Sequence, residues 1–218
     1  MGLPLRHSLR TARNSRRGFT LIELLIVMVI ILILAGIVLA LAGPAQNRAA
    51  RSRATAEIQA LRSALERYKA DNVTYPRDAN KTDSLDPNDS AQFDVTDQYK
   101  TSSAFLYQQL AGDDPSQSKP TYPPNPGASS AKRYYDFKPS SLGGYSSATT
   151  SFSVSSVNDP WGNSYGYSTA NEADTTATPP VNPARGNSPG YDLWSTAGQT
   201  GSKKITSQAQ QERWIKTW

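Results

Sequence analysis

Hydrophobic and polar positions divide this chain into three stretches of different character. From Leu24 to Ala45 no residue is charged, and most are Leu, Ile, Val or Ala. Wound as a helix, those 22 residues extend ~33 Å, enough to cross a ~30 Å hydrocarbon core. Next, Ala54, Ile58, Leu61, Leu65 and Tyr68 recur every three or four positions among Arg, Gln, Ser, Glu and Lys. That period is the apolar stripe of a helix buried along one side. The helix is expected to end near Asp71-Asn72, because Thr74-Tyr75-Pro76 reads as extended turn sequence. Pro44 has no backbone donor and its ring clashes with the carbonyl one turn earlier, which predicts a helix break, as a kink or local melting, at Gly43-Pro44.

Beyond Asn72 the helical period is lost. Residues 80–90, 112–130 and 171–190 read as loops by their Pro, Asn, Asp and Ser content. A short helix is expected over 104–110, and short strands over 134–138, 152–157, 164–168 and 191–195. A long helix followed by a small antiparallel sheet with long loops is an α+β arrangement. Trp214, Ile215 and Trp218 are expected to dock the tail by apolar burial. The chain thus divides into a basic segment 1–18, a membrane-crossing helix 19–45, an amphipathic helix 46–71 and a polar, β-rich domain 72–218.

Charge refines this picture. The chain carries 23 Lys+Arg against 18 Asp+Glu, a net +5. Arg6, Arg10, Arg13, Arg16 and Arg17 supply the whole excess within residues 1–18, so basicity gives no reason to expect a nucleic-acid partner. A basic flank before an apolar span stays in the cytoplasm and sends the C-terminal bulk across the membrane. There is no cysteine and the lone histidine is His7. Disulfides, thiol nucleophiles and Cys-ligated zinc or iron–sulfur clusters are excluded. No phosphate loop or nucleophile elbow appears, so an enzyme is not expected.

Glu23 stands apart: a carboxylate inside a membrane span costs roughly 2.5–3.5 kcal/mol, which marks it as functional unless it lies at the interface. Its surroundings, Arg16-Arg17-Gly18-Phe19-Thr20-Leu21-Ile22-Glu23, resemble the leader junction of type IV pilins and type II secretion pseudopilins. The resemblance implies cleavage by a prepilin peptidase between Gly18 and Phe19, N-methylation of Phe19, and Glu23 as the fifth residue of the mature chain. It also implies a long-helix pilin-like fold in the inner membrane, with the C-terminal domain in the periplasm and polymerisation into a filament. In such a filament Glu23 can pair with the Phe19 ammonium of a neighbouring copy, so neither charge is buried alone. A competing reading takes Ala40-Leu41-Ala42 as the cleavage site of an ordinary secretory signal.

Three further strings resemble the major pseudopilin, or G subunit, of type II secretion. They are Leu65–Asn72 followed by Tyr75-Pro76, the stretch from Asn158 to Tyr165, and Tyr191-Asp192-Leu193-Trp194-Ser195 followed by Gly198. Segment 80–150 shows no obvious counterpart. The resemblance implies partners: further copies of the chain, minor pseudopilins, the prepilin peptidase, an inner-membrane assembly platform, and lipid before assembly. An adhesion, motility or DNA-uptake pilin, or a membrane-anchored binding protein or enzyme, are the alternatives. Asp159, Pro160, Trp161 and Gly162 read as a turn whose tryptophan anchors the sheet on the helix. Many G subunits hold calcium in the loop after the Tyr-Asp strand. Here residues 195–204 contain no carboxylate and end in Lys203-Lys204, which argues against calcium and leaves carbonyls and Asp192 as donors. No other cofactor is expected. Asp83, Asp86, Asn88 and Asp89 form a second oxygen-rich group and read as Asx turns.

Overall fold

The computed structural model describes residues 19–87, 98–127, 131–173, 190–199 and 212–218. The chain divides into two compact units, Met1–Gln46 and Asn47–Trp218. Helix α1, Leu21–Asn72, runs through the end of the first and the start of the second. Gly43 and Pro44 both lie within it, so the local melting expected there is corrected: the backbone stays helical. A proline removes one backbone bond and adds one clash. The flanking turns, rich in alanine, are strong helix formers and keep their own bonds.

In the first unit, helix residues Leu21–Val38 form a stretch long and apolar enough to cross a membrane. Its large side chains are exposed, from Leu21 to Val38.

In the second unit, the stripe along α1 does what its period dictates. Ala54, Ile58, Leu61 and Leu65 are buried, Ala64 joins them, and Tyr68 packs at the margin. Helix α2 spans Gln98–Ala111, longer at its N-terminal end than the apolar run 104–110 predicts. Its Leu106, Tyr107 and Leu110 meet the α1 stripe in one core with Phe137, Leu142, Val154, Val157, Tyr165, Tyr167 and Leu193.

The strands are short and all pairings are antiparallel. β1 (Thr121–Tyr122) pairs with β3 (Phe152–Ser153), and β2 (Leu142–Gly143) with β4 (Ser156–Val157). β5 (Gly166–Ser168), β6 (Asp192–Ser195) and β7 (Ile215–Lys216) form a three-stranded sheet with β6 at its centre. A short helix α3, Ala170–Ala173, follows β5. The single sheet expected from the sequence is therefore three small ones among the described residues. Segment 152–157 splits into two strands with different partners. Segment 134–138 pairs with no strand among the described residues. The Tyr134 and Tyr135 amides donate to the Leu110 carbonyl at 2.8 and 3.0 Å, satisfying an orphan acceptor at the end of α2.

Tyrosines tie α1 to the rest of this unit. The Tyr165 hydroxyl donates to Glu57 at 2.7 Å, Tyr75 to Glu66 at 3.1 Å, and Tyr68 to Gln109 at 3.0 Å. Burial, and then the Glu66 carboxylate, push the Tyr75 phenol up to about 12. Burial likewise raises Tyr107, Tyr165 and Tyr191. An acid whose folded value lies above its unfolded value of ~10 contributes stability that is intact below ~pH 10 and lost as the pH climbs past it. Alkaline titration at the phenolate absorbance is therefore expected to show these tyrosines ionising together with loss of near-UV dichroism. Ionisation of all of them at the ordinary value with dichroism unchanged would contradict the packing described.

Candidate functional site

At the start of α1, Thr20 and Glu23 bond reciprocally. The Thr20 amide and hydroxyl donate to Glu23 Oε2 at 2.9 and 2.8 Å, and the Glu23 amide donates to Thr20 Oγ1 at 3.3 Å. This is a capping box, with threonine before the helix and glutamate three residues on. It places the carboxylate at the positive end of the helix dipole. Both donors fall on Oε2, and a carboxylate has about four acceptor sites, so capacity for a further donor remains. Phe19, 83% exposed, lies just outside the box. Gly18 lies outside the described residues. Sequence reasoning singled out Glu23 but missed Thr20 as its partner. The signal was present as Thr-x-x-Glu ahead of an apolar run.

In the second unit, the turn after β4 is organised by Asp159, which is 5% exposed. Its Oδ1 accepts the amides of Trp161 and Asn163 at 3.0 and 2.9 Å, and its Oδ2 accepts the Ser195 hydroxyl at 2.6 Å. The Gly162 amide closes the turn on the Asp159 carbonyl at 2.9 Å, across Pro160 and Trp161. Burial raises the Asp159 carboxyl above the ordinary carboxylate range, against the pull of these donors.

Trp161 is corrected as the anchor of the sheet on the helix: it is only half-buried and belongs to neither hydrophobic core. It is covered instead by the loop after β6. A Cβ on Gly198 would stand 2.7 Å from its ring, and Gly198 has a φ of +81°. The tryptophan that is fully buried is Trp194 on β6. Gly166, its register partner on β5, has no side chain, and a Cβ there would fall within the indole. Trp214 stacks on Trp194 with centroids 6.0 Å apart, while Tyr99 and Trp218 present their edges at 5.4 and 5.8 Å. The tail docks through these rings and through β7.

In the second oxygen-rich group the reading of Asp83 is corrected. Asp83 is not an Asx turn: its oxygens accept from Arg77 at 2.9 Å and from the Thr169 hydroxyl at 2.6 Å. The Asx turn is at Asp78, which accepts the Asn80 and Lys81 amides at 2.9 and 3.1 Å. Asn88 and Asp89 lie outside the described residues, as do Lys203 and Lys204. Among the described residues no three His, Cys, Asp or Glu side chains gather as metal ligands.

Residues 13–39 match the family model for the prokaryotic N-terminal methylation motif. Residues 43–151 match that for type II secretion system (T2SS), protein G. The second match spans half of the chain and takes in segment 80–150, for which the sequence resemblance finds no counterpart. The turn at 159–162 and strand β6 lie beyond it. The chain is similar to proteins named type II secretion system core protein G. Identity is 45% over 64 residues for that of Klebsiella michiganensis, covering 29% of this chain and 45% of the relative. It is 42% over 65 residues for that of Escherichia coli, covering 30% and 45%. For that of Pseudomonas aeruginosa it is 41% over 64 residues, covering 29% and 45%. The chain thus matches under half the length of each of these relatives. No solved structure matches.

Proposed function

Because this chain belongs to the type II secretion system protein G family, we propose that it is a structural subunit of a pseudopilus, built by stacking copies of itself. The observation that carries this is the capped glutamate at the head of an exposed apolar helix. In lipid, Thr20 satisfies Glu23 locally, so the acid is tolerated before assembly. On cleavage at Gly18–Phe19 the new ammonium at Phe19 is one chain position from the box. A neighbouring copy's ammonium then supplies the countercharge that threonine cannot. The apolar helices form the filament core and the Asn47–Trp218 unit coats it.

The methylation-motif match supports processing by a prepilin peptidase with methylation of Phe19. The protein sits in the inner membrane as a single-pass subunit, its C-terminal domain in the periplasm, until it joins the filament. Its partners are further copies, minor pseudopilins and the assembly platform, and its role is structural rather than enzymatic. The test is electron microscopy of the protein purified from cells that carry the peptidase and assembly platform. Fibres of regular diameter support the reading. A micelle-bound monomer under every condition contradicts it.

A further inference from the structure

We propose that the start of the loop after β6, residues 196–199, is locked from within by Asp159 and the docked tail, where many G subunits use calcium, so that this chain folds without the metal. The residues present do not fit the ion. Calcium takes six to eight oxygen ligands, carboxylates prominent among them. No acid occurs between Asp192 and Glu212.

The oxygens that are present are already engaged. Between residues 195 and 199 only Ser195, Thr196 and Gln199 carry side-chain oxygens. Ser195 Oγ accepts the Ala197 amide at 3.0 Å, and Thr196 Oγ1 accepts the Asn163 amide group at 3.3 Å. Gln199 Oε1 accepts the Trp214 indole at 3.0 Å. The Thr196 carbonyl accepts the Gln199 amide at 3.1 Å. Asp159, the carboxylate in this network, takes two amides on one oxygen and the Ser195 hydroxyl on the other. Each donor hydrogen takes one lone-pair direction of these oxygens, and with a single carboxylate among them the set falls well short of the ligands that calcium takes.

The arrangement forms a chain of bonds. The Ala197 amide donates to Ser195, Ser195 donates to Asp159, and Asp159 holds the 159–163 turn. Gly198 closes on the Trp161 ring, and Gln199 reaches the tail through Trp214. Three elements that a metal would gather are gathered by hydrogen bonds instead.

The experiment is thermal unfolding of the full chain in detergent micelles, with calcium or with excess chelator, alongside calorimetric titration with calcium chloride. Equal midpoints in the two buffers and no saturable heat are expected. Ser195→Ala is expected to lower the midpoint by about 5 °C in both buffers alike, the shift for one lost hydrogen bond to a charged group. Asp159→Asn, which keeps an acceptor for the two turn amides, is expected to lower it equally in both. A midpoint that falls on chelation, or a saturable binding heat, overturns the proposal. So does a Ser195→Ala protein as stable as the parent. These readouts are independent of whether the chain polymerises.

Discussion

Glu23→Val is expected to leave leader cleavage and membrane retention intact while filament formation falls to background. Removing one partner of a buried ion pair typically costs ~3–5 kcal/mol, because the surviving charge is uncompensated. At ~1.4 kcal/mol per tenfold, each subunit addition weakens by roughly a hundredfold to a few thousandfold. The capping box complicates this substitution, since valine also deprives the Thr20 amide of its acceptor. Loss of a cap is worth only ~1 kcal/mol, so it does not account for an effect of that size. Glu23→Gln separates the two contributions. Glutamine serves the capping box as well as glutamate does but brings no charge. Filament yield from Glu23→Gln, scored by microscopy beside Thr20→Ala, is expected to collapse while Thr20→Ala retains most of it. Normal filaments from Glu23→Gln would show that the acid is there for the cap alone.

The second large effect is expected at Trp194. Its indole is fully buried against Leu85, Tyr99 and Trp214, with Trp218 at the margin. Truncation of such a ring to alanine costs ~3–5 kcal/mol. For a unit of this size that is a fall of about 10 °C or more in the melting temperature. Deleting residues 212–218 removes two of the rings packed on Trp194, the β7 strand and the Arg51 bond to the Arg213 carbonyl at 3.1 Å, and is expected to cost a comparable amount. Trp161→Ala should cost clearly less, because that ring is half-exposed. Scanning calorimetry of the three proteins decides; a larger fall for Trp161→Ala than for Trp194→Ala contradicts the assignment of the core.

The contrast between these two tryptophans shows what the sequence can and cannot convey. The α1 stripe was legible because a 3.6-residue period sustained over four turns leaves few alternatives. The pairings of the small sheets were not, because two-residue strands such as β1, β2 and β7 have no period to display. Trp161 and Trp194 both sit in strings rich in turn or strand signals. What separates them is long-range: Gly166 must lie beside Trp194, and the tail must return to cover it. Of the two outcomes expected at Pro44, local melting is the one that fails, because the penalty is local and helical turns flank it on both sides. At the functional end the acid was conspicuous by its isolation. Thr20 was overlooked although the spacing that makes it a cap was in plain view.

Assembly by stacking requires that the apolar helix be kept and that Phe19 become the new chain start. Intact-mass and N-terminal peptide analysis of the protein from the membrane fraction measures this directly. A chain beginning at Phe19 and carrying one added methyl group is the predicted result. A soluble chain beginning at Gly43, its apolar segment removed at Ala42, would contradict it.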